Sequence, residues 1–251
     1  ITFGYGAKFP AKFQDALFIC DWSYGKMYAV HLESKGSGYG GVVEEFVTGS
    51  PLPLTDVVIS PRDGAMYFTI GGRKTQSGLY RVTYSGSEPV TPVGTGGVAE
   101  SDREGAEQRA IRHALEAQHH RADKQAVDLA WQHLGPRDRF LRFAARVALE
   151  HQEIGLWRDR ALAEKDPDKA ITAMLALVRS ASSDPFHRAP NAAAVDVEFR
   201  RKVLARLHEL ASADWQKMRD ETRLEFLRTL QIALNRMDGG DAEQLLSLAG
   251  T

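Results

Sequence analysis

The sequence has one cysteine, no long apolar run and almost no net charge, and each scarcity excludes a class of protein. The single Cys20 rules out a disulfide within the chain and any zinc or iron–sulfur site built from several cysteines. Apolar runs of about five residues are far shorter than the ~20 residues that span a bilayer. With 32 cationic and 33 anionic side chains, the net charge of −1 gives no general case for nucleic-acid binding. A CxxCH motif and a visible signal peptide are also absent.

The composition changes sharply near residue 100. The first hundred residues hold 16 of the 22 glycines and 14 of the 22 aromatic residues, whereas the remainder holds 24 of the 32 cationic side chains. Glycine with aromatic and β-branched residues is typical of strands and turns, and alanine, leucine, glutamate and arginine favour helices. We therefore predict a strand domain over residues 1–88, a linker over 89–100 and a helical domain over 101–251.

The N-terminal part shows six short strand patterns and an internal repeat. The strands are predicted at 16–23, 26–33, 42–48, 54–60, 65–70 and 79–85, and the Pro-Arg-Asp-Gly turn at 61–64 predicts a hairpin. Residues 16–20 match 65–69 at an offset of 49, and residues 27–30 match 79–82 at an offset of 52. Four-stranded units at this period are typical of β-propeller blades, so we expect the last one to two blades of a partial β-propeller. The alternative is a small independent sheet of six strands.

The N-terminal part resembles a known protein family, and two strings within it carry the more specific resemblance. Residues 9–32, 43–49, 54–69 and 77–82 resemble the last blades of the soluble quinoprotein glucose/sorbosone dehydrogenases. The strings at 21–25 and 71–80 are similar to the planctomycete-type membrane-bound dehydrogenases, which join such a propeller to HEAT-type repeats and often to a c-type cytochrome domain. The resemblance implies that this chain is an internal fragment of an exported, periplasmic sugar or alcohol dehydrogenase. Its parent would bind pyrroloquinoline quinone (PQQ) and pass electrons to a c-type haem outside this chain.

The residues of this chain carry little of that family's chemistry. Where the family places two arginines that grip the carboxylates of the quinone, this sequence has Pro53 and Thr55. No catalytic residue, cofactor or metal site is therefore predicted within residues 1–251. Loop position alone suggests weak candidates for ligand contact, which are Asp21, Trp22, Tyr24, Asp56, Arg73 and Lys74. The alternative for these residues is packing between blades or plain solvation.

From residue 101 the apolar pattern follows the helical period. Helices are predicted at 102–119, 123–134, 137–152, 154–164, 167–180, 195–211, 214–237 and 242–249, with Asp138, Asp166, Asp214 and Asp241 at helix starts. Apolar residues recur 28 positions apart when Asp138 is aligned with Asp166. This repeat predicts a HEAT-like α-solenoid, with an irregular helical bundle as the alternative.

Arg139, Arg142 and Arg146 lie partly on one face of a predicted helix, a pattern that suits either of two roles. The face would bind an acidic partner, or the arginines would be solvated and paired with Glu150 and Asp159. Two functions therefore stay open. One is a segment of a dehydrogenase, whose partners would be the missing blades and a cytochrome domain. The other is a non-catalytic protein-interaction scaffold of propeller and HEAT type, with a protein partner on its helices.

Overall fold

The chain forms two compact units, Ile1–Glu107 and Gln108–Thr251. The computed structural model describes residues 1–72, 74–93, 102–119, 123–135, 137–189, 191 and 195–237. The described residues are mainly strands in the first unit and helices in the second, as the composition predicts. The predicted helix at 242–249 and the predicted cap Asp241 lie outside the described residues.

Seven strands in the described part of the first unit form two antiparallel sheets. The elements are β1 (Thr2–Phe3), α1 (Ala11–Gln14), β2 (Leu17–Asp21), β3 (Lys26–Lys35), β4 (Gly38–Thr48), β5 (Leu54–Ile59), β6 (Met66–Gly72) and β7 (Thr75–Val82). The first sheet has the order β1–β2–β3–β4 and the second the order β5–β6–β7. Each of the six predicted strands overlaps one of β2 to β7, and β1 and α1 were not predicted.

The predicted hairpin at 61–64 is confirmed. The Ser60 amide donates to the Ala65 carbonyl at 2.9 Å, and the Gly64 amide donates to the Ser60 carbonyl at 2.9 Å. Gly64 has a φ of 70°, a left-handed conformation that glycine adopts without steric cost. The turn therefore fixes the register in which β5 and β6 pair.

The two sheets share a single apolar core. Phe18 and Met27 from the first sheet are buried in the same cluster as Leu54, Met66 and Phe68 from the second. Each strand presents these residues on alternate positions, so one face of each sheet is removed from water by the other. The first unit therefore buries one apolar core between its two sheets.

The predicted partial propeller is wrong. The described strands form sheets of four and three members that close no ring of blades. The alternative of one six-stranded sheet is also wrong, since the strands divide into two sheets. The repeat at offsets of 49 and 52 corresponds to two similar hairpins, β2–β3 and β6–β7, and not to two whole blades.

Part of the predicted linker is held against the first unit by one buried side chain. The Gln14 amide nitrogen donates to the Phe9 carbonyl at 2.8 Å and to the Thr91 carbonyl at 3.0 Å. Its amide oxygen accepts the Val93 backbone N–H at 3.0 Å. Residues 91–93 therefore belong to the first unit, and residues 94–100 of the predicted linker lie outside the described residues.

The second unit is helical. Its helices are α2 (Arg103–Glu116), α3 (Lys124–Gln132), α4 (Arg139–Glu150), α5 (Arg158–Ala163), α6 (Pro167–Ala181), α7 (Val197–Asp214) and α8 (Asp220–Arg236). The boundary between the two units falls within α2. Short 3-10 helices cover Ile154–Leu156 and Trp215–Lys217.

Two of the predicted helix caps are confirmed and one is wrong. Asp138 accepts the amides of Phe140 and Leu141 at the start of α4, and Asp166 accepts the amide of Lys169 at the start of α6. Asp214 is the last residue of α7 and does not start a helix. The 3-10 turn that follows it interrupts the predicted helix at 214–237. That turn places the Trp215 ring 5.8 Å from the Phe226 ring in an edge-on contact.

The helix α6 lies at the centre of the second unit. It contacts α4, α5, α7 and α8, and its residues from Ala170 to Thr172 and from Ala176 to Val178 are buried. A helix that buries so many of its apolar residues needs neighbours on several sides. The predicted HEAT-like solenoid is therefore wrong, and the described helices form an irregular bundle around α6.

The central position of α6 predicts a large cost for truncating its side chains. We expect Leu177→Ala to lower the free energy of unfolding by about 2–5 kcal/mol, since Leu177 is fully buried and leaves a cavity. Leu227→Ala on α8 is the matched control, because Leu227 is half exposed, and should cost less than about 1 kcal/mol. Chemical denaturation followed by circular dichroism measures both, and equal losses would contradict the central role of α6.

Candidate functional site

Three of the predicted ligand-contact residues lie in the turn between β2 and β3. One carboxylate oxygen of Asp21 accepts the backbone N–H of Ser23 at 2.9 Å and that of Tyr24 at 3.0 Å. These hydrogen bonds form an Asx-type turn, in which the carboxylate replaces a main-chain acceptor. Through these hydrogen bonds the Asp21 carboxylate stabilises the conformation of the loop.

Trp22 and Tyr24 have different surroundings despite their proximity. The Trp22 indole N–H donates to the Gly71 carbonyl at 2.9 Å, and the ring lies so close to Gly72 that a Cβ there would be 3.2 Å from it. Trp22 thus links the first sheet to the second. Tyr24 is 77% exposed and borders a small cavity of 290 Å³ together with residues 49–53 and Thr75.

The remaining candidates also contact the main chain or solvent. The Asp56 carboxylate accepts the N–H of Val57 at 2.8 Å, and Asp56 is exposed on β5. Lys74 is exposed in the turn between β6 and β7 with a φ of 60°. Arg73 lies outside the described residues. Because Trp22 contacts Gly71 and Gly72 at the end of β6, it lies beside the β6–β7 turn that contains Lys74.

The two positions at which the resemblance expects quinone-binding arginines serve the second sheet. The Pro53 carbonyl accepts the Gly71 amide at 3.0 Å, and the Thr55 hydroxyl lies 2.8 Å from the Thr69 hydroxyl. Neither side chain can form the bidentate ion pair that an arginine forms with a carboxylate. These positions do not fit the binding of PQQ in the manner of the family.

One ionisable cluster was not predicted. The Asp63 carboxylate accepts hydrogen bonds from the Ala65 amide at 3.1 Å, the Tyr67 hydroxyl at 3.1 Å and the Arg81 guanidinium at 3.0 Å. Contacts with Ser60, the Ala65 amide and Arg81 hold the pKa of Asp63 far below its usual range. The cluster joins the hairpin turn to β6 and β7, so we assign it to the stability of the second sheet.

A wide cavity on the helical unit forms a groove, here called the α4–α8 groove. Its volume is 890 Å³. Residues of α6 form its floor. One wall consists of residues of α4 and of Arg137 before it, and the other of residues of α8 and of Arg219 before it. The lining residues are Arg137, Arg139, Phe140, Arg142, Phe143, Arg146, Ile171, Thr172, Leu175, Arg219, Glu221, Leu224 and Glu225.

The apolar side chains of the groove are unusually exposed for their size. Phe143 is 58% exposed, Leu224 is 67% exposed and Phe140 is 42% exposed. Phe140 and Phe143 are three residues apart on α4, so they are neighbours on one helix face. Beneath them Ile171 and Thr172 of α6 are buried.

Arginines surround these apolar residues. The Arg139 guanidinium lies 5.2 Å from the centre of the Phe140 ring, and that of Arg146 lies 5.1 Å from the centre of the Phe143 ring. Both distances fall within the range of cation–π attraction. A guanidinium in such a contact can still donate hydrogen bonds from its N–H groups.

The charge in the groove is only partly balanced. Arg142 forms an ion pair with Glu225, Arg146 with Glu150, and Arg219 with Asp168 at 2.8 Å. Of the pairings predicted for this face, that with Glu150 is confirmed. Among the described residues, Arg137 and Arg139 have no carboxylate within ion-pair distance, so the groove carries unbalanced positive charge.

The exposed phenylalanines of the groove were not among the site residues predicted from the sequence. Their signal was the pair Phe140 and Phe143 at a spacing of three, interleaved with Arg139, Arg142 and Arg146. The spacing shows that the two rings share a helix face. It does not show whether that face is covered, because coverage depends on where α6 and α8 pack.

Comparisons with protein-family models, with curated proteins and with solved structures find no match for this chain. The resemblance to quinoprotein dehydrogenases, with its PQQ, haem and exported location, therefore stays a prediction. In the described residues no group of three or more His, Cys, Asp or Glu side chains is placed to hold a metal ion. None of the described helices is long and apolar enough to cross a membrane.

The contrast between Trp22 and Tyr24 gives a test of their roles. We expect Trp22→Phe to lower the free energy of unfolding by about 1 kcal/mol, since it removes the hydrogen bond to the Gly71 carbonyl. Tyr24→Phe should change it by less than about 0.5 kcal/mol because the side chain is exposed. Chemical denaturation of the two variants decides the matter, and a larger loss from Tyr24→Phe would refute this assignment.

The Asp63 cluster predicts a pH dependence. Because the folded-state pKa is depressed, its stabilisation is present above the unfolded-state pKa and is lost as the pH falls through the folded-state pKa. We expect Asp63→Asn to lower the thermal midpoint at pH 7, and the difference from the native protein to shrink between about pH 5 and about pH 2. Calorimetry across this range measures it, and a difference that stays constant with pH would be inconsistent with the charged cluster.

Proposed function

We propose that the helical unit of this protein is a non-catalytic protein-interaction module that receives its partner in the α4–α8 groove. The observation that carries the proposal is the placement of Phe143 and Leu224, each more than half exposed, on opposite walls of one groove. Exposed apolar side chains grouped around one cavity are typical of binding sites on soluble proteins.

The residue types of the groove also favour protein binding. Arginine and aromatic residues are enriched at the centres of protein interfaces, where few residues supply most of the binding energy. In the groove they lie in pairs, Arg139 near Phe140 and Arg146 near Phe143. A contact of this kind restricts a long arginine side chain, and less entropy is then lost when a partner binds.

The dehydrogenase hypothesis concerns a longer parent protein and rests on the resemblance alone. It stays a prediction, as do the electron transfer to a haem domain and the exported location. The interaction module is compatible with it, since a helical unit attached to an enzyme can dock a further protein. No described residue is assigned a catalytic role.

A photo-crosslinking experiment tests the interaction module. A benzophenone analogue of phenylalanine replaces Phe143 in the full chain, and irradiation in an extract of the source organism should give a discrete adduct with a second protein. The matched control carries the analogue at Phe186, which is 91% exposed and outside the groove, and should not give this adduct. The same adduct from both positions, or none from Phe143, would contradict the proposal.

A further inference from the structure

We infer that the occupant of the α4–α8 groove is an acidic amphipathic helix of a partner protein. This inference rests on the proposed function, and it adds the chemical class of the partner. It is carried by three features of the groove: the helical walls, the unbalanced arginines and the spacing of the exposed apolar residues.

The walls favour a helical partner over an extended one. Both walls are helices packed against α6, and a helix satisfies its backbone hydrogen bonds internally. An extended segment would thus find no main-chain partners in the groove and would leave its own amides unpaired against apolar surface. A helix brings its backbone already paired and offers only side chains, as in other complexes of a helix in a groove.

The charge favours an acidic partner. Five arginines and two glutamates line the groove, whereas the whole chain has a net charge of −1. Arg142, Arg146 and Arg219 are paired with carboxylates, so the unbalanced positive charge is that of Arg137 and Arg139. Neither of these two forms an ion pair among the described residues, and the Arg139 guanidinium lies 5.2 Å from the centre of the exposed Phe140 ring. Carboxylates beside the apolar face of a partner helix would pair with them, while cationic side chains there would be repelled.

The apolar residues set the length of the partner. The lining residues of α4 run from Arg139 to Arg146, eight positions or about 12 Å of helix axis. A partner helix with apolar side chains at positions i, i+3, i+4 and i+7 presents a matching stripe over this distance. A segment of about ten to fourteen residues therefore covers the groove, with its acidic side chains along the edges of the stripe.

Three designed helical peptides test this inference against the full-length chain. They share leucines at i, i+3, i+4 and i+7 and differ at the flanking positions, which are glutamate, glutamine or lysine. Fluorescence anisotropy measures their dissociation constants at low salt. We expect the glutamate peptide to bind at least about tenfold more tightly than the glutamine peptide, and the lysine peptide not to bind measurably.

Groove variants show where the peptide binds. We expect Phe143→Ala and Arg139→Glu each to weaken the glutamate peptide by about tenfold or more, since they remove an apolar anchor and an unpaired cation. The matched controls Phe186→Ala and Arg158→Glu change exposed residues outside the groove and should leave the affinity within about twofold. Circular dichroism verifies that each variant is folded.

Each unexpected result of these experiments has a different consequence for the inference. Equal binding of the glutamine and glutamate peptides, weakened by Phe143→Ala, would overturn the acidic partner and leave the interaction module standing. Binding that ignores the groove variants would overturn the site. If no peptide binds while the crosslinker at Phe143 still captures a protein, the partner is not such a helix. A crosslink from Phe143 to residues 238–251 of the purified chain would show that the groove holds its own C-terminal segment, and would also overturn the inference.

Discussion

Burial of most of α6 is the constraint on which the helical unit depends. Its residues from Ala170 to Met174 and from Ala176 to Val178 are buried, and α4, α5, α7 and α8 pack around it. Because α4 and α8 both rest on α6, a channel remains above the part of α6 between them. The groove is thus a direct consequence of how the core is covered.

The side chains that line the groove do not serve that core. Phe143 and Leu224 point away from it and lose little water on folding, so their burial contributes little to stability. An ion pair between Arg142 and Glu225 joins the two walls. Core packing therefore sets the shape of the site, while exposed residues set its chemistry. That separation of roles is what permits a binding surface to be altered without loss of the fold.

The sequence predicted local structure well and larger architecture poorly. The turn at 61–64 and the caps Asp138 and Asp166 depend on residues near one another in the chain, and each matches the structure. The propeller and the solenoid were inferred from repeats, and a repeat shows similar elements without showing how they pack. The β2–β3 and β6–β7 hairpins share a pattern, yet their sheets cover each other. Likewise, the arginines of α4 were visible, whereas the exposure of Phe140 and Phe143 depends on the distant α8.

The measurement that tests this account most directly is a nuclear magnetic resonance titration of the full chain with the acidic helical peptide. The account predicts that shifts of backbone amides and arginine Nε–H groups concentrate in residues 137–146, 171–175 and 219–225, and that the lysine peptide causes none there. Shifts confined to the strands of the first unit, or spread evenly over the helices, would contradict the claim that the α4–α8 groove is the binding site.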